Sequence, residues 1–325
     1  MNLHQNQMDV LLRAKPLLTV IIVSWRVPDL LRGCLRSLLA ESALPGGALE
    51  IVVVDNASGD ETVEMVRGEF PEVRLIEQPE NLGFGRANTL AFEQTRSEYV
   101  LLLNPDTVIS DRGIARLLAH MQAHPDVAAM GCRLCNGDGS LQRWTGGRFP
   151  TLANVAAHYL LPARLLSFAG VDSSLYLARD VKSDVEADWV SGACLLLRRS
   201  QVPAPLFDPA YWMYGEDIDL CRRIRAAGGR VVYTPIVTVK HLQGASMRQL
   251  SGDAMLSSLK GLRLFYARQS GPICARALDV LTVVGFGLRW VLYRLGALVS
   301  RNAALEERAR SSARYVQLAF RLLRG

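Results

Sequence analysis

Several short stretches of this 325-residue sequence place carboxylate, amide, glycine and imidazole groups where they could handle a phosphorylated ligand. Asn104-Pro105-Asp106 follows the apolar run Tyr99–Leu103. A carboxylate emerging there could coordinate a divalent cation, which in turn could neutralise a diphosphate. The same residues could equally form a turn into a helix over Asp111–His120. Asp55 ends the run Ile51–Val54 and can accept hydrogen bonds from a base or ribose, with Asn56, Ser58 and Asp60 shaping the turn after it. Capping of the next helix by Ser58 or Asp60 is the other use of those residues. Gly83-Phe84-Gly85-Arg86-Ala87-Asn88 would let backbone approach a phosphate or sugar closely. It partly matches the dinucleotide fingerprint, but Asn88 stands at the third glycine, and the loop follows the third strand rather than the first.

Glu216-Asp217-Ile218-Asp219 puts three carboxylates at the start of an amphipathic helix whose apolar positions are Ile218, Cys221 and Ile224. The helix dipole accounts for one or two acids there. A third can remain free as a general base, its pKa raised by its neighbours. His241, just past Val231–Val239, could complete a metal site with Asp106 or serve as an ordinary structural histidine. His120, His124, Cys132 and Cys135 form an H-x₃-H and C-x₂-C series. Pro125 and the short gap before Cys132 argue against finger-type zinc binding.

These groups need elements to position them. Leu18–Val23, Ile51–Val54, Val73–Ile76 and Tyr99–Leu103 are strand-length apolar runs, with helical stretches at 29–39 and 86–94 between them. Such alternation indicates a mostly parallel sheet covered on both faces, whose strand ends share one ligand-binding rim. Past Gly137 the pattern loosens to about Asp188 and then returns with Val190–Leu197. A helix over 218–227 closed by Gly228-Gly229 follows, and then Val231–Val239, interrupted at Pro235.

Half the residues are apolar and about a fifth charged, which excludes wholesale disorder. Six scattered cysteines without a secretory signature suggest reduced thiols. Leu17–Val23 follows Arg13 and Lys15 but has no cleavage site after it, so it is read as the first core strand. Net charge is uneven: residues 251–325 carry +8 and the first 250 carry −2. That asymmetry points the tail at an anionic surface, and no nucleic-acid-binding module accompanies it. The apolar segment 277–300 is interrupted by Arg289 and Arg294, which fits a helix lying on a membrane with its arginines towards the headgroups. Packing on the core or on another subunit is the alternative.

Taken together, VSWRVPDLLRGCLRSLL, EIVVVDNASGDET, ENLGFGRANTLAF, YVLLLNPDT, VSGACLLLRR, FDPAYWMYGEDIDLCRRIRAAG and VKHLQGAS, in that order over about 17–250, resemble inverting glycosyltransferase family 2 in its rhamnosyltransferase-like branch. The resemblance implies a GT-A fold: an α/β, Rossmann-like sheet flanked by helices. It would occupy 17–250, with a donor half to about 110 and an acceptor half after it, between a lead-in at 1–16 and a basic helical extension at 251–325. It also implies Mg²⁺ or Mn²⁺ and a nucleotide-sugar donor, dTDP-L-rhamnose first and a UDP-hexose next.

On that resemblance the donor would be bound by Ser24, Asp55, Asn56, Ser58, Asp60, Asn81, Gly83, Phe84, Gly85, Asn88, Asn104, Pro105 and Asp106. The metal would be bound by Asp106 and His241 with Asn104 as auxiliary, since Asn104 replaces the first acid of the family's DxD-type motif. Asp217 would be the base. Trp189, Gly192, Ala193, Trp212, Tyr214 and Glu216 would line the acceptor side. The acceptor would be a glycan or polyprenyl-diphosphate-linked saccharide at the inner membrane surface. The protein would be cytoplasmic and peripheral, with oligomerisation through the C-terminal helices an option. Arg26 replaces the asparagine common after the first strand. Three other readings stand beside this one. A glycoside hydrolase could use paired carboxylates but has no need of a nucleotide site or a metal. A catalytically impaired nucleotide-sugar-binding protein would keep the nucleotide site. A nucleotide-sugar pyrophosphorylase would need a Gly-rich, Lys-bearing loop where Ser24-Trp25-Arg26 stands.

Overall fold

The computed structural model describes residues 15–40, 49–142, 145–160, 180–242 and 253–324. Most of the expected lead-in lies outside them. The chain divides into two compact units. The first comprises residues 1–147, 177–212 and 216–249; the second comprises 148–176, 213–215 and 250–325.

The first unit is built on a nine-stranded sheet. Strands β1 (Leu18–Ser24), β2 (Leu49–Asp55), β3 (Arg74–Glu77) and β4 (Tyr99–Leu103) run parallel in the order β3-β2-β1-β4. Every residue of β1 and β4 is buried, as strands covered on both faces require. Helix α1 (Pro28–Ala40) packs Leu31, Cys34, Leu35 and Leu38 inward, one stripe at i, i+3, i+4 and i+7. Helices α2 (Thr62–Glu69) and α3 (Gly83–Glu93) complete the crossovers. Register pairs Ser24 with Asp55 and Ile22 with Leu103. Ser24, Asp55 and Asn104 therefore emerge side by side at one rim.

Beyond β4 the sheet becomes mixed. After the short strand β5 (Thr107–Val108) and helix α4 (Gly113–Ala123) comes β6 (Val127–Cys135), then β7 (Gly146–Gly147). In the second unit, α5 (Leu152–Leu160) follows; the first then resumes with β8 (Val185–Glu186), β9 (Trp189–Val190) and β10 (Cys194–Arg198). Strand β10 lies antiparallel between β4 and β6. Helix α6 (Glu216–Ala226) leads to β11 (Arg230–His241), which runs parallel to β6 and antiparallel to β5 and β8. A register shift between Thr234 and Thr238 absorbs Pro235, which has no N–H for a ladder. The strand then resumes and sets His241 opposite Thr107.

Helices α7 (Asp253–Ser300) and α8 (Ala303–Arg324) dominate the second unit, with α7 broken at Gly271-Pro272. Among the described residues, one helix, Met255–Ser300, is long and apolar enough to cross a membrane by length and composition. Arg289 and Arg294 correct the expectation that they face headgroups. The Arg289 guanidinium donates to the His158 carbonyl at 2.5 Å and lies over the Tyr159 and Phe286 rings. Arg294 pairs with Glu306 at 2.6 Å. Both guanidiniums are therefore engaged within the helical unit.

Candidate active site

The rim of β1 and β2 holds two buried polar atoms with no protein partner, Ser24 Oγ and Asp55 Oδ1. Orphaned groups of this kind are costly unless a ligand satisfies them. The other Asp55 oxygen accepts the Ser58 N–H at 3.2 Å, which turns the carboxylate into the rim. Ser58 itself is spent on the loop: its Oγ accepts the Arg26 N–H and its carbonyl accepts Arg26 Nε, each at 3.0 Å. Arg26 thus ties the two loops together, and it and Ala57 adopt left-handed backbone, at φ +56° and +61°. Asp60 is exposed and starts α2 by accepting the Thr62 N–H at 3.0 Å.

Asn56 organises the next loop. Its Nδ2 donates to Asn81 Oδ1 at 2.9 Å, and its Oδ1 accepts the Leu82 N–H at 2.9 Å. Asn81 Oδ1 also accepts the Gly83 N–H. Gly83 has φ +78°, and a Cβ there would fall 2.4 Å from the Trp212 carbonyl oxygen, so only glycine fits. The Phe84 N–H donates to that same carbonyl at 3.1 Å. Gly85 packs against Phe207, and Asn88 is buried with its amide on the Phe84 carbonyl. Gly85 and Asn88 therefore serve helix packing.

At the end of β4 lies the cation-binding candidate. Asp106 and His241 are each only 7% exposed, and His241 Nε2 stands 3.1 Å from Asp106 Oδ1 and 3.2 Å from Asn104 Nδ2. Gln142 orients the ring. Its Nε2 donates to the His241 carbonyl at 2.7 Å and to Asn136 Oδ1 at 2.9 Å, which turns its Oε1 to His241 Nδ1 at 2.9 Å. Nδ1 must then carry the imidazole proton, leaving the Nε2 lone pair aimed between Asp106 and Asn104. That donor set, one imidazole nitrogen and one carboxylate with an amide beside them, fits a divalent cation. Nothing in the sequence pattern singled out Gln142, because its partner is 99 residues away. Replacing Gln142 with methionine is expected to weaken Mn²⁺ binding about 10- to 100-fold, read as free Mn²⁺ by electron paramagnetic resonance; an unchanged affinity would remove Gln142 from this role.

The turn at 191–193 connects this centre to the acidic helix. The Ala193 carbonyl accepts the Asn104 N–H at 3.0 Å, while the Gly192 N–H donates to Asp217 Oδ2 at 3.2 Å. Asp217 Oδ1 accepts the Ile218 N–H at 2.9 Å. A Cβ on Gly192 would press on the Phe84 ring at 3.3 Å. The three carboxylates divide clearly. Asp219 pairs with Arg223 at 2.8 Å, and that guanidinium also clamps the carbonyls of Pro203, Pro205 and Leu206. Glu216 is buried, with Oε2 unpartnered; burial and the neighbouring Asp217 push its pKa up to about 8, which favours its protonated form. Asp217 is partly exposed, and burial raises its pKa against the two N–H donors that stabilise its charge. The negative charge of the pair therefore resides on Asp217.

Trp189 sits apart from this arrangement, 5% exposed in β9 opposite Gly147. Trp212 is 41% exposed and flanks Gly83. Tyr214 belongs to the second unit, at φ +69°.

Residues 19–179 match the family model described as glycosyl transferase family 2. The chain is 29% identical over 273 residues to the N-acetylglucosaminyl-diphospho-decaprenol L-rhamnosyltransferase of Mycobacterium tuberculosis, covering 78% of this chain and 85% of that one. It is 27% identical over 195 residues to a rhamnosyltransferase of Escherichia coli K12, covering 58% and 71%. Its fold is similar to that of a Pyrobaculum calidifontis mannosyltransferase solved with GDP-mannose and Mn²⁺, with a TM-score of 0.55, 17% identity and 99% and 93% coverage.

Proposed function

This chain belongs to glycosyltransferase family 2, in its rhamnosyltransferase-like branch, and we propose that it transfers L-rhamnose from dTDP-L-rhamnose to a hydroxyl of a polyprenyl-diphosphate-linked saccharide. It is a glycosyltransferase of cell-surface polysaccharide synthesis. The observation that carries the proposal is the 191–193 turn, which ties the Asn104 end of the donor rim to the Asp217 carboxylate through two adjacent residues.

The orphaned Ser24 Oγ and Asp55 Oδ1 would take up the nucleoside. Asp106 and His241 would hold a divalent cation, which when bound neutralises charge on the leaving diphosphate. Asp217 accepts the acceptor hydroxyl proton as that oxygen attacks the anomeric carbon, and the bond from that carbon to the diphosphate oxygen breaks on the opposite face. A single displacement of this kind inverts the anomeric centre. The acceptor class follows the Mycobacterium tuberculosis relative, whose name specifies a decaprenol-linked substrate.

A peripheral position on the cytoplasmic face of the membrane suits such an acceptor. Val280, Val284, Leu288, Val291, Leu295 and Leu298 are spaced along one stripe of α7 at three- and four-residue intervals. Each is at least 44% exposed, the reverse of a helix that buries its apolar face. The test of the reaction is incubation of the protein with dTDP-L-rhamnose, Mn²⁺ and a short-chain polyprenyl-diphospho-N-acetylglucosamine, followed by proton NMR of the product. A rhamnoside of inverted configuration is expected; a product of retained configuration would refute the single-displacement reading.

A further inference from the structure

We propose a second metal site, for Zn²⁺ or a similar transition metal, formed by His120, His124 and Asp184 and sharing no residue with the Asp106–His241 centre. One imidazole nitrogen from each histidine and one carboxylate oxygen lie within 4.8 Å of one another. His120 is near the end of α4 and His124 is its C-cap residue, so their i, i+4 spacing puts both rings on one face, with centroids 4.5 Å apart. Asp184 approaches from just before β8 and places Oδ2 2.6 Å from His120 Nε2.

Two further bonds orient these groups as ligands. His124 Nδ1 lies 2.8 Å from the His120 carbonyl oxygen, which can only accept, so Nδ1 carries the proton and Nε2 keeps its lone pair. A backbone carbonyl on the far ring nitrogen is the usual partner of a metal-bound imidazole. Thr234 Oγ1 donates to Asp184 Oδ1 at 2.6 Å, fixing the carboxylate and leaving Oδ2 for the site. An ion pair between His120 and Asp184 alone gives no reason for His124 to stand beside it in this tautomer. Two imidazoles and one carboxylate, with a fourth position open to water, are a Zn²⁺ set; ligand atoms about 3.3 Å apart would need His120 and Asp184 to separate slightly. The side chains of His120 and Asp184 are 22% and 34% exposed, which gives an ion a way in.

The ligand set is not the His120, His124, Cys132 and Cys135 series, whose spacing argues against finger-type zinc binding. Cys132 and Cys135 lie buried in β6, and the Cys132 thiol is held by Cys194. Occupied, the site would clip the end of α4 to β8 and, through Thr234, to β11.

The test uses the full chain stripped with EDTA, saturated with Mg²⁺ and then titrated with Zn²⁺ by isothermal calorimetry. His124→Gln preserves the His120–Asp184 pair, and Asp184→Asn removes the carboxylate. Each variant is expected to bind one equivalent of Zn²⁺ less than wild type, with Mn²⁺-supported transfer unchanged. Wild-type protein with Co²⁺ in place of Zn²⁺ should show the intense visible bands of tetrahedral coordination, absent in both variants. Equal Zn²⁺ stoichiometry in the wild type and His124→Gln would mean an ion pair only, and would overturn the site.

Discussion

Asp217→Asn is expected to lower glycosyl transfer by about 10²- to 10⁴-fold while leaving donor affinity within about twofold. The amide keeps the size of the side chain and can still accept the Gly192 or Ile218 N–H, but it cannot take a proton. Donor groups are on the other side of the 191–193 turn, so binding is spared. The pH profile follows from the same residue. Burial raises the Asp217 pKa, and only the ionised form is a base. Activity in the wild type should therefore fall as pH drops towards that raised pKa, at a higher pH than for a solvated aspartate. Glu216→Gln serves as the comparison, because burial and the adjacent Asp217 already favour the protonated form of Glu216. It should retain most of the transfer rate, and a loss as large as that of Asp217→Asn would move the base to Glu216.

Asp106→Ala and His241→Ala carry the second large effect. Each removes one of the two groups best placed to hold the cation, and each is expected to cost at least about a hundredfold in transfer, or about 2.7 kcal/mol of charge stabilisation. Calorimetric titration with Mn²⁺ separates the cause from unfolding: both variants should lose Mn²⁺ binding and still unfold cooperatively. Asn104→Asp supplies the first carboxylate of the DxD-type motif and should tighten Mn²⁺ rather than weaken it, since an added charge would replace a neutral amide beside His241 Nε2. Weaker binding in that variant would show that Asn104 Nδ2 positions the ring instead.

The first half of the sheet was legible in the sequence because β1 and β4 are fully buried, largely apolar runs. Every residue of Leu18–Ser24 and Tyr99–Leu103 is shielded from water. The second half was less so. Strand β6, the partner of both β10 and β11, went unread because Val127–Cys135 contains Ala128, Ala129 and Gly131, residue types depleted in strands. Packing explains that composition: a Cβ on Gly131 would fall 2.6 Å from Val190 Cβ. Val190–Leu197 looked continuous but is split by the 191–193 turn, and that turn connects the end of β4 to Asp217. Spacing also said that the acids of α6 could not all serve the dipole, without saying which was free. Only the Asp219–Arg223 pair and the burial of Glu216 single out Asp217. Gln142 and Arg26 owe their places to bonds across 99 and 32 residues, which no local pattern encodes.

The proposed reaction depends above all on a nucleotide-sugar site that works with a cation at Asp106 and His241. Thermal unfolding of the wild-type protein against a panel of nucleotide sugars, with and without Mn²⁺, tests that directly, because a ligand bound to the native state raises the melting temperature by mass action. The shift should be largest with dTDP-L-rhamnose and should shrink markedly when Mn²⁺ is omitted. Equal shifts with and without the metal, or no shift with any nucleotide sugar, would contradict it.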